Sequence, residues 1–175
     1  MGNAGYYMGC HITRNRKARV LKLDQHLYVE SMVKRFDVKK ETKIPAASGV
    51  PALSKADEPR NPEEKEEMRK FPYREAVGAL MWTATMTRLD IACAVRAVVR
   101  FCENPGPAHK KAVMKILQYL LHTKEWWITY GGQGCGLCMK AYTDSDFRPC
   151  LDTRRPVSGA VLMLAKGPIS WHSRM

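Results

Sequence analysis

The stretch Tyr142-Thr143-Asp144-Ser145-Asp146-Phe147, followed by Leu151-Asp152-Thr153-Arg154-Arg155, then Ser158-Gly159-Ala160-Val161-Leu162-Met163-Leu164 and Pro168-Ile169-Ser170-Trp171, decides the fold. It predicts three strands. The first runs from about Leu137 to Thr143 and delivers two carboxylates at its end. The second, Val157 to Leu164, is an apolar run of strand length. Lys166-Gly167 makes a tight connection, and a third strand starts at Ile169. Paired acids at a strand end are where a divalent metal could be held for phosphoryl chemistry. Asp144 and Asp146 are therefore candidate metal ligands, with Asp152 a weaker one.

Upstream, the apolar pattern changes period. Tyr6 to Ile12 and Val20 to Leu23 flank the polar turn Asn15-Arg16-Lys17 and predict a β-hairpin with a basic tip. Tyr28, Val29, Met32, Val33 and Phe36 then fall on one helical face, with Asp24 as its cap. Residues 41–61, with Pro45, Gly49, Pro51 and Pro59, read as a linker. Asn61-Pro62 opens a short charged helix as cap and first-turn proline. Tyr73, Val77, Leu80, Met81 and Ala84 predict a further helix, and Asp90 is expected to cap the next one, which carries Ile91, Ala94, Val95, Val98, Val99 and Phe101. His109 to His122 is a last helix with Ala112, Val113, Ile116, Leu117, Leu120 and Leu121 toward a core, and with His109 as cap or core. Trp126 to Tyr130 reads as a strand entering the C-terminal sheet. The fold class is thus α+β: a β-hairpin, a helical bundle, then a partial antiparallel sheet.

The 175 residues suit one domain or pieces of two, and 45% hydrophobic content supports a core. Net charge is +12 and the pI about 9.6. That balance favours a polyanion partner, nucleic acid first. The surplus is spread along the chain, with one acidic interruption over residues 51–75. Arg14, Arg16, Lys17 and Arg19 at the hairpin, and Lys110, Lys111 and Lys115 on the last helix, are the candidate phosphate contacts. Six cysteines without a signal peptide or an apolar run of membrane length suggest reduced thiols, an intracellular setting in cytoplasm or nucleus, and no membrane partner. Cys135-Gly136-Leu137-Cys138 has half the spacing of a zinc site, but no second pair follows it.

The C-terminal stretch resembles the start of the RNase H domain of Copia-type retrotransposon Pol polyproteins, at Tyr142, Asp144, Asp146, Asp152, Arg154, Arg155, Ser158, Gly159, Ile169, Ser170 and Trp171. Phe147, Arg148-Pro149-Cys150 and Pro156-Val157 depart from that pattern. The resemblance extends upstream through Pro72-Tyr73-Arg74-Glu75-Ala76-Val77-Gly78, Thr87-Arg88, Asp90-Ile91-Ala92 and Arg100-Phe101, where Leu89 replaces a proline. Tyr7, Met8 and Gly9 stand where the similar primer-grip hairpin of reverse transcriptases positions the primer end.

The resemblance implies three parts. Residues 1–23 would be a palm-edge, primer-grip-like hairpin, 24–125 a thumb- or connection-like helical region, and 126–175 the N-terminal part of an RNase H-like domain. It implies a polyprotein segment that grips an RNA/DNA primer-template duplex and works beside the remainder of Pol. Asp144 would be the first catalytic RNase H carboxylate, a ligand for Mg²⁺ in the complete parent. The family's polymerase motif Tyr-Val-Asp-Asp does not occur in these residues, nor does its next RNase H acid, so the segment alone is expected to be inactive. The rival expectation is a co-opted or relic interaction protein without enzymatic activity.

Overall fold

The computed structural model describes residues 5–45, 53–146 and 157–174. The α+β expectation holds: five helices stand with a four-stranded and a three-stranded antiparallel sheet among the described residues. The first sheet has the order β1 (Tyr6–Tyr7), β2 (Cys10–Asn15), β3 (Val20–Asp24), β4 (Ile128–Gly131). The second runs β5 (Met139–Asp146), β6 (Val157–Leu164), β7 (Gly167–Arg174).

The N-terminal run expected as one strand over 6–12 is broken. Met8 and Gly9 both take positive φ, 49° and 82°, and Tyr6-Tyr7 folds back to pair with His11 and Cys10. A two-residue loop with both central residues left-handed matches the right-handed twist of its flanking strands. The hairpin is therefore a three-stranded meander. Its fourth strand comes from far along the chain: β4 pairs with β3, Leu23 opposite Ile128. The strand expected to enter the C-terminal sheet instead completes the N-terminal one.

Between β3 and β4 lies the bundle: α1 (His26–Arg35), α2 (Pro62–Arg69), α3 (Tyr73–Met86), α4 (Ala92–Val99) and α5 (Pro107–His122). Val29 and Met32 of α1, Val77 and Leu80 of α3, Val95 and Val98 of α4, and Val113, Ile116, Leu117 and Leu120 of α5 meet in one core. These are the positions the helical period selected, save Met81, which points outward. Asn61 caps α2 as expected, its Oδ1 accepting from Glu64 N–H at 2.8 Å.

Two expected caps are not caps. Gln25 occupies the cap position of α1, while Asp24, one residue earlier, accepts from His26 N–H at 3.3 Å. Asp90 sits within a 3₁₀ turn, Leu89–Ile91, ahead of α4. Its carboxylate takes a forked pair from Arg88, at 3.0 and 2.7 Å, and the Tyr119 hydroxyl at 2.8 Å. Arg88 is buried and also donates to the Thr123 carbonyl, so the pair ties α3, α4 and α5 together.

His109 is both core and cap. The Gly106 N–H donates to its Nδ1 at 2.9 Å, which leaves the hydrogen on Nε2 to reach the Ser54 carbonyl at 3.1 Å. Its ring stacks on Phe101 with centroids 3.9 Å apart.

The second sheet docks through β7. Trp171 Nε1 donates to the Ala84 carbonyl at 2.7 Å. That carbonyl lies in the last turn of α3, where helix acceptors lack partners of their own. Tyr130 on β4 donates its hydroxyl to the Pro168 carbonyl at 2.6 Å. The β6–β7 turn is Ala165-Lys166, both at positive φ, and Gly167 is the first residue of β7. The turn thus comes one residue earlier than the expected connection at Lys166-Gly167. Gly167 is required for a different reason: a Cβ there would stand 2.5 Å from the Tyr130 ring.

Candidate nucleic-acid interface

The first group of expected contacts forms the β1–β2 turn. Tyr6, Tyr7 and Met8 are 55%, 64% and 55% exposed, so three consecutive large apolar side chains face solvent at one loop. Such clustering on a small domain marks a contact surface. Gly9 lies on α1 and α3; a Cβ there would meet Trp82 Nε1 at 3.5 Å, and the backbone is left-handed. The turn is thus seated on the bundle with its aromatic side outward.

The second group surrounds the other end of β2. The Arg16–Arg19 turn is closed by Asn15, whose Oδ1 accepts from Ala18 N–H at 2.9 Å. Arg14, Arg16 and Arg19 line a cleft of about 640 Å³ together with Tyr130, Leu137 and Ala165. Close backbone approach makes the floor. Gly131 N–H donates to the Ala165 carbonyl at 2.8 Å, and Gly132 N–H to the Arg19 carbonyl at 3.0 Å. A Cβ on Gly131 would lie 2.1 Å from Arg19 O, so this residue must be glycine. Lys17 stands exposed on the same turn, outside the cleft lining.

β2 separates the two groups by about 17 Å, at roughly 3.4 Å per residue. The third group is elsewhere. Lys110, Lys111 and Lys115 occupy the first half of α5, while the chain reaches the sheet only beyond the far end of that helix. Lys110 is engaged there, its ammonium 3.4 Å from Glu67 of α2 and over the Phe71 ring. The structure therefore brings Arg14, Arg16 and Arg19 together and holds the α5 lysines apart from them.

Asp144 lies within β5 opposite Gly159, because the strand runs on to Asp146 instead of stopping at Thr143. Its side chain is exposed. Asp146 pairs with Val157, and Asp152 lies outside the described residues. Among the described residues Asp144 belongs to no group of three or more histidine, cysteine and acidic ligands. One exposed carboxylate does not fit Mg²⁺ by itself, since the ion needs several oxygens and keeps its waters otherwise.

A cluster that the sequence patterns did not single out lies beneath the first turn. Asp24 accepts from His11 Nδ1 at 3.1 Å and is in close contact with His26 Nδ1. Burial pushes the Asp24 carboxyl up, but the hydrogen bonds from His26 and His11 outweigh it and hold its pKa below the ordinary value. The signal was present in the pairing register, which sets His11 directly across from Asp24, but register is invisible until the strands are aligned.

No helix among the described residues is long and apolar enough to cross a membrane. No family model matches the chain, and no solved structure matches it. Over its whole length the chain is 41% identical to the retrovirus-related Pol polyprotein from transposon TNT 1-94 of Nicotiana tabacum, of which it spans 13%. It is 34% identical, over 61% of its residues, to secreted RxLR effector protein 161 of Plasmopara viticola, covering 75% of that protein. Across 99% of its length it is 25% identical to a putative transposon Ty5-1 protein of Saccharomyces cerevisiae, of which it covers 54%. By these likenesses, running across the bundle and both sheets, the chain belongs to the retrovirus-related Pol polyproteins of Copia-type retrotransposons.

Proposed function

We propose that this segment grips the backbone of a primer-template duplex for a retrotransposon polyprotein. The observation that carries the proposal is the cleft at the hairpin tip, whose lining includes Arg14, Arg16 and Arg19. Arginine guanidinium groups bind phosphate oxygens through parallel hydrogen bonds, and such contacts place a protein on nucleic acid without reading its sequence. Tyr7, Met8 and Gly9, at the other end of β2, would meet the primer strand: Gly9 supplies the left-handed turn that seats the loop on the bundle, and the exposed Tyr7 can pack on a sugar or base.

The lysines of α5 are secondary contacts in this proposal, because Glu67 already offsets Lys110. Asp144 belongs to it as one carboxylate of an RNase H site that the whole polyprotein would complete with further acids and Mg²⁺. The work of this segment's own residues is to bind and orient.

Binding of a labelled RNA–DNA hybrid, followed by fluorescence anisotropy across a salt series, tests the proposal. If about four phosphates are engaged, log affinity falls against log salt with a slope of roughly −3 to −4. Arg14→Ala with Arg19→Ala brings the slope about two units closer to zero, equally for unrelated sequences. Affinity that ignores salt would instead favour the second reading, a protein-interaction surface on the exposed Tyr6-Tyr7-Met8 turn. For Asp144, the check is Asp144→Asn in a polyprotein of this family that cuts the RNA strand of a hybrid. Loss of cutting is expected, and undiminished cutting removes Asp144 from the site.

A further inference from the structure

Three side chains that phosphate gripping does not use converge at the junction of β2, β3 and α1. His11 lies on β2 across from Asp24 on β3, and His26 opens α1 two residues later. Each oxygen of Asp24 faces a different imidazole: Oδ2 is 3.1 Å from His11 Nδ1, and Oδ1 lies against His26 Nδ1. The two rings stand edge to face with centroids 5.6 Å apart. One donor atom from each of the three lies within 4.8 Å of the other two, and among the described residues no other trio of histidine, cysteine and acidic groups does this.

The chemistry of the trio selects the ion. Mg²⁺ and Ca²⁺ want oxygen donors throughout. Two imidazole nitrogens and one carboxylate suit zinc and its neighbours in the first transition row. Zinc holds nitrogen and oxygen at about 2.0–2.2 Å, which makes the edge of its tetrahedron about 3.3 Å. The His11–Asp24 separation is already close to that edge. The other separations need adjustments of an ångström or so, within reach of imidazoles whose side chains are 42% and 30% exposed. Asp24 is the fixed member, 13% exposed and held at the end of β3. The exposed side of the histidines leaves an entry path and room for a water in the fourth position.

We propose that His11, Asp24 and His26 form a binding site for a zinc-class divalent ion, with both imidazoles ligating through Nδ1 and Asp24 through a carboxylate oxygen. The ion would cross-link two strands and the first helix. Because His11 also pairs with Tyr6, it would fix the β1–β2 turn from beneath. This holds whether or not the turn touches nucleic acid.

Zinc itself is the probe, titrated calorimetrically into the metal-free 175-residue chain. Cys93→Ser, Cys135→Ser, Cys138→Ser and Cys150→Ser form the background, so that these thiols do not compete. One ion per chain is expected. His11→Ala and His26→Ala should each weaken binding by at least about tenfold, since losing even an outer-shell partner of a ligand costs that much. Both histidines are partly exposed, so these variants should keep the parent's circular dichroism; Asp24→Asn is the third variant where it folds. Cobalt in place of zinc should give a visible ligand-field spectrum that disappears with His11→Ala. Absence of zinc binding, or binding that persists in the His11→Ala, His26→Ala double variant, would overturn the site.

Discussion

The helical bundle and the three-stranded sheet are built on opposite principles. In the bundle, Leu80, Ile91, Leu117 and Leu120 are wholly buried, and even its charged pair Arg88–Asp90 is mostly enclosed. In the sheet, β5 is exposed from Met139 through Asp144, with Leu137 just ahead of it at 86%. Contact with the rest of the molecule comes chiefly from β7, through Trp171 and Pro168. Family-like residues occur in both parts, Pro72 to Gly78 at the packed start of α3 and Ser158, Gly159, Ile169, Ser170 and Trp171 in the sheet, so the resemblance in sequence does not follow burial.

Substitutions on the two sides should separate sharply. Leu117→Ala removes a fully buried side chain where α5 meets its neighbours and should cost about 3 kcal/mol in urea unfolding. A cost below about 1 kcal/mol would mean the bundle core is not the main source of stability. Arg88→Met is next, at about 2 kcal/mol. It leaves Asp90 without its forked partner, though Asp90 keeps Tyr119 and some solvent.

The same network gives a pH signature. Burial, then the hydrogen bond to Asp90, push the Tyr119 phenol from its ordinary value of 10 to about 12. The folded state thus holds a proton that the unfolded chain releases. The stability tied to this group is fully present below pH 10 and disappears between about pH 10 and 12. Urea midpoints of Tyr119→Phe should fall less steeply across that window than those of the parent.

On the sheet side, Trp171→Phe should cost only about 1 kcal/mol globally, the value of one hydrogen bond. Its local effect should be larger: amide exchange should quicken through β5, β6 and β7 while α3 and α5 stay protected. Uniform loss of protection would show that the sheet and bundle unfold as one unit. The smallest effect is expected for Arg35→Ala, whose partner Glu75 is as exposed as itself, at under about half a kcal/mol.

The bundle was legible because helical period is a local property. The apolar positions of α1, α3, α4 and α5 repeat within single elements, and Asn61-Pro62 announces α2 with a cap that needs no tertiary context. Met81 escaped because the pattern cannot tell the edge of an apolar stripe from its centre. The Met8-Gly9 turn was hidden inside a run of strand-forming residues, since Met-Gly lacks the asparagine or aspartate that usually marks such turns. The partner of β4 and the meeting of His11 with Asp24 depend on strand pairing, which sequence periodicity does not carry. The arginines of the candidate interface were legible as a charge cluster; the cleft they line needed Gly131 and the second sheet to be in place.

The pairing of β3 with β4 also orders events in time. Leu23 and Ile128 are roughly a hundred residues apart, with the whole bundle between them. Closing so long a loop before its interior is folded is entropically unfavourable, so the local contacts of α3, α4 and α5 should form first and bring the two strands within reach. During synthesis, β3 would leave the ribosome and wait unpaired on one side until residue 131 emerges. An unpaired strand edge of this kind is open to pairing with other chains in the interval. Pulse-labelled amide exchange should accordingly find the amides linking β3 to β4 among the last to be protected, well after those of α3 and α5.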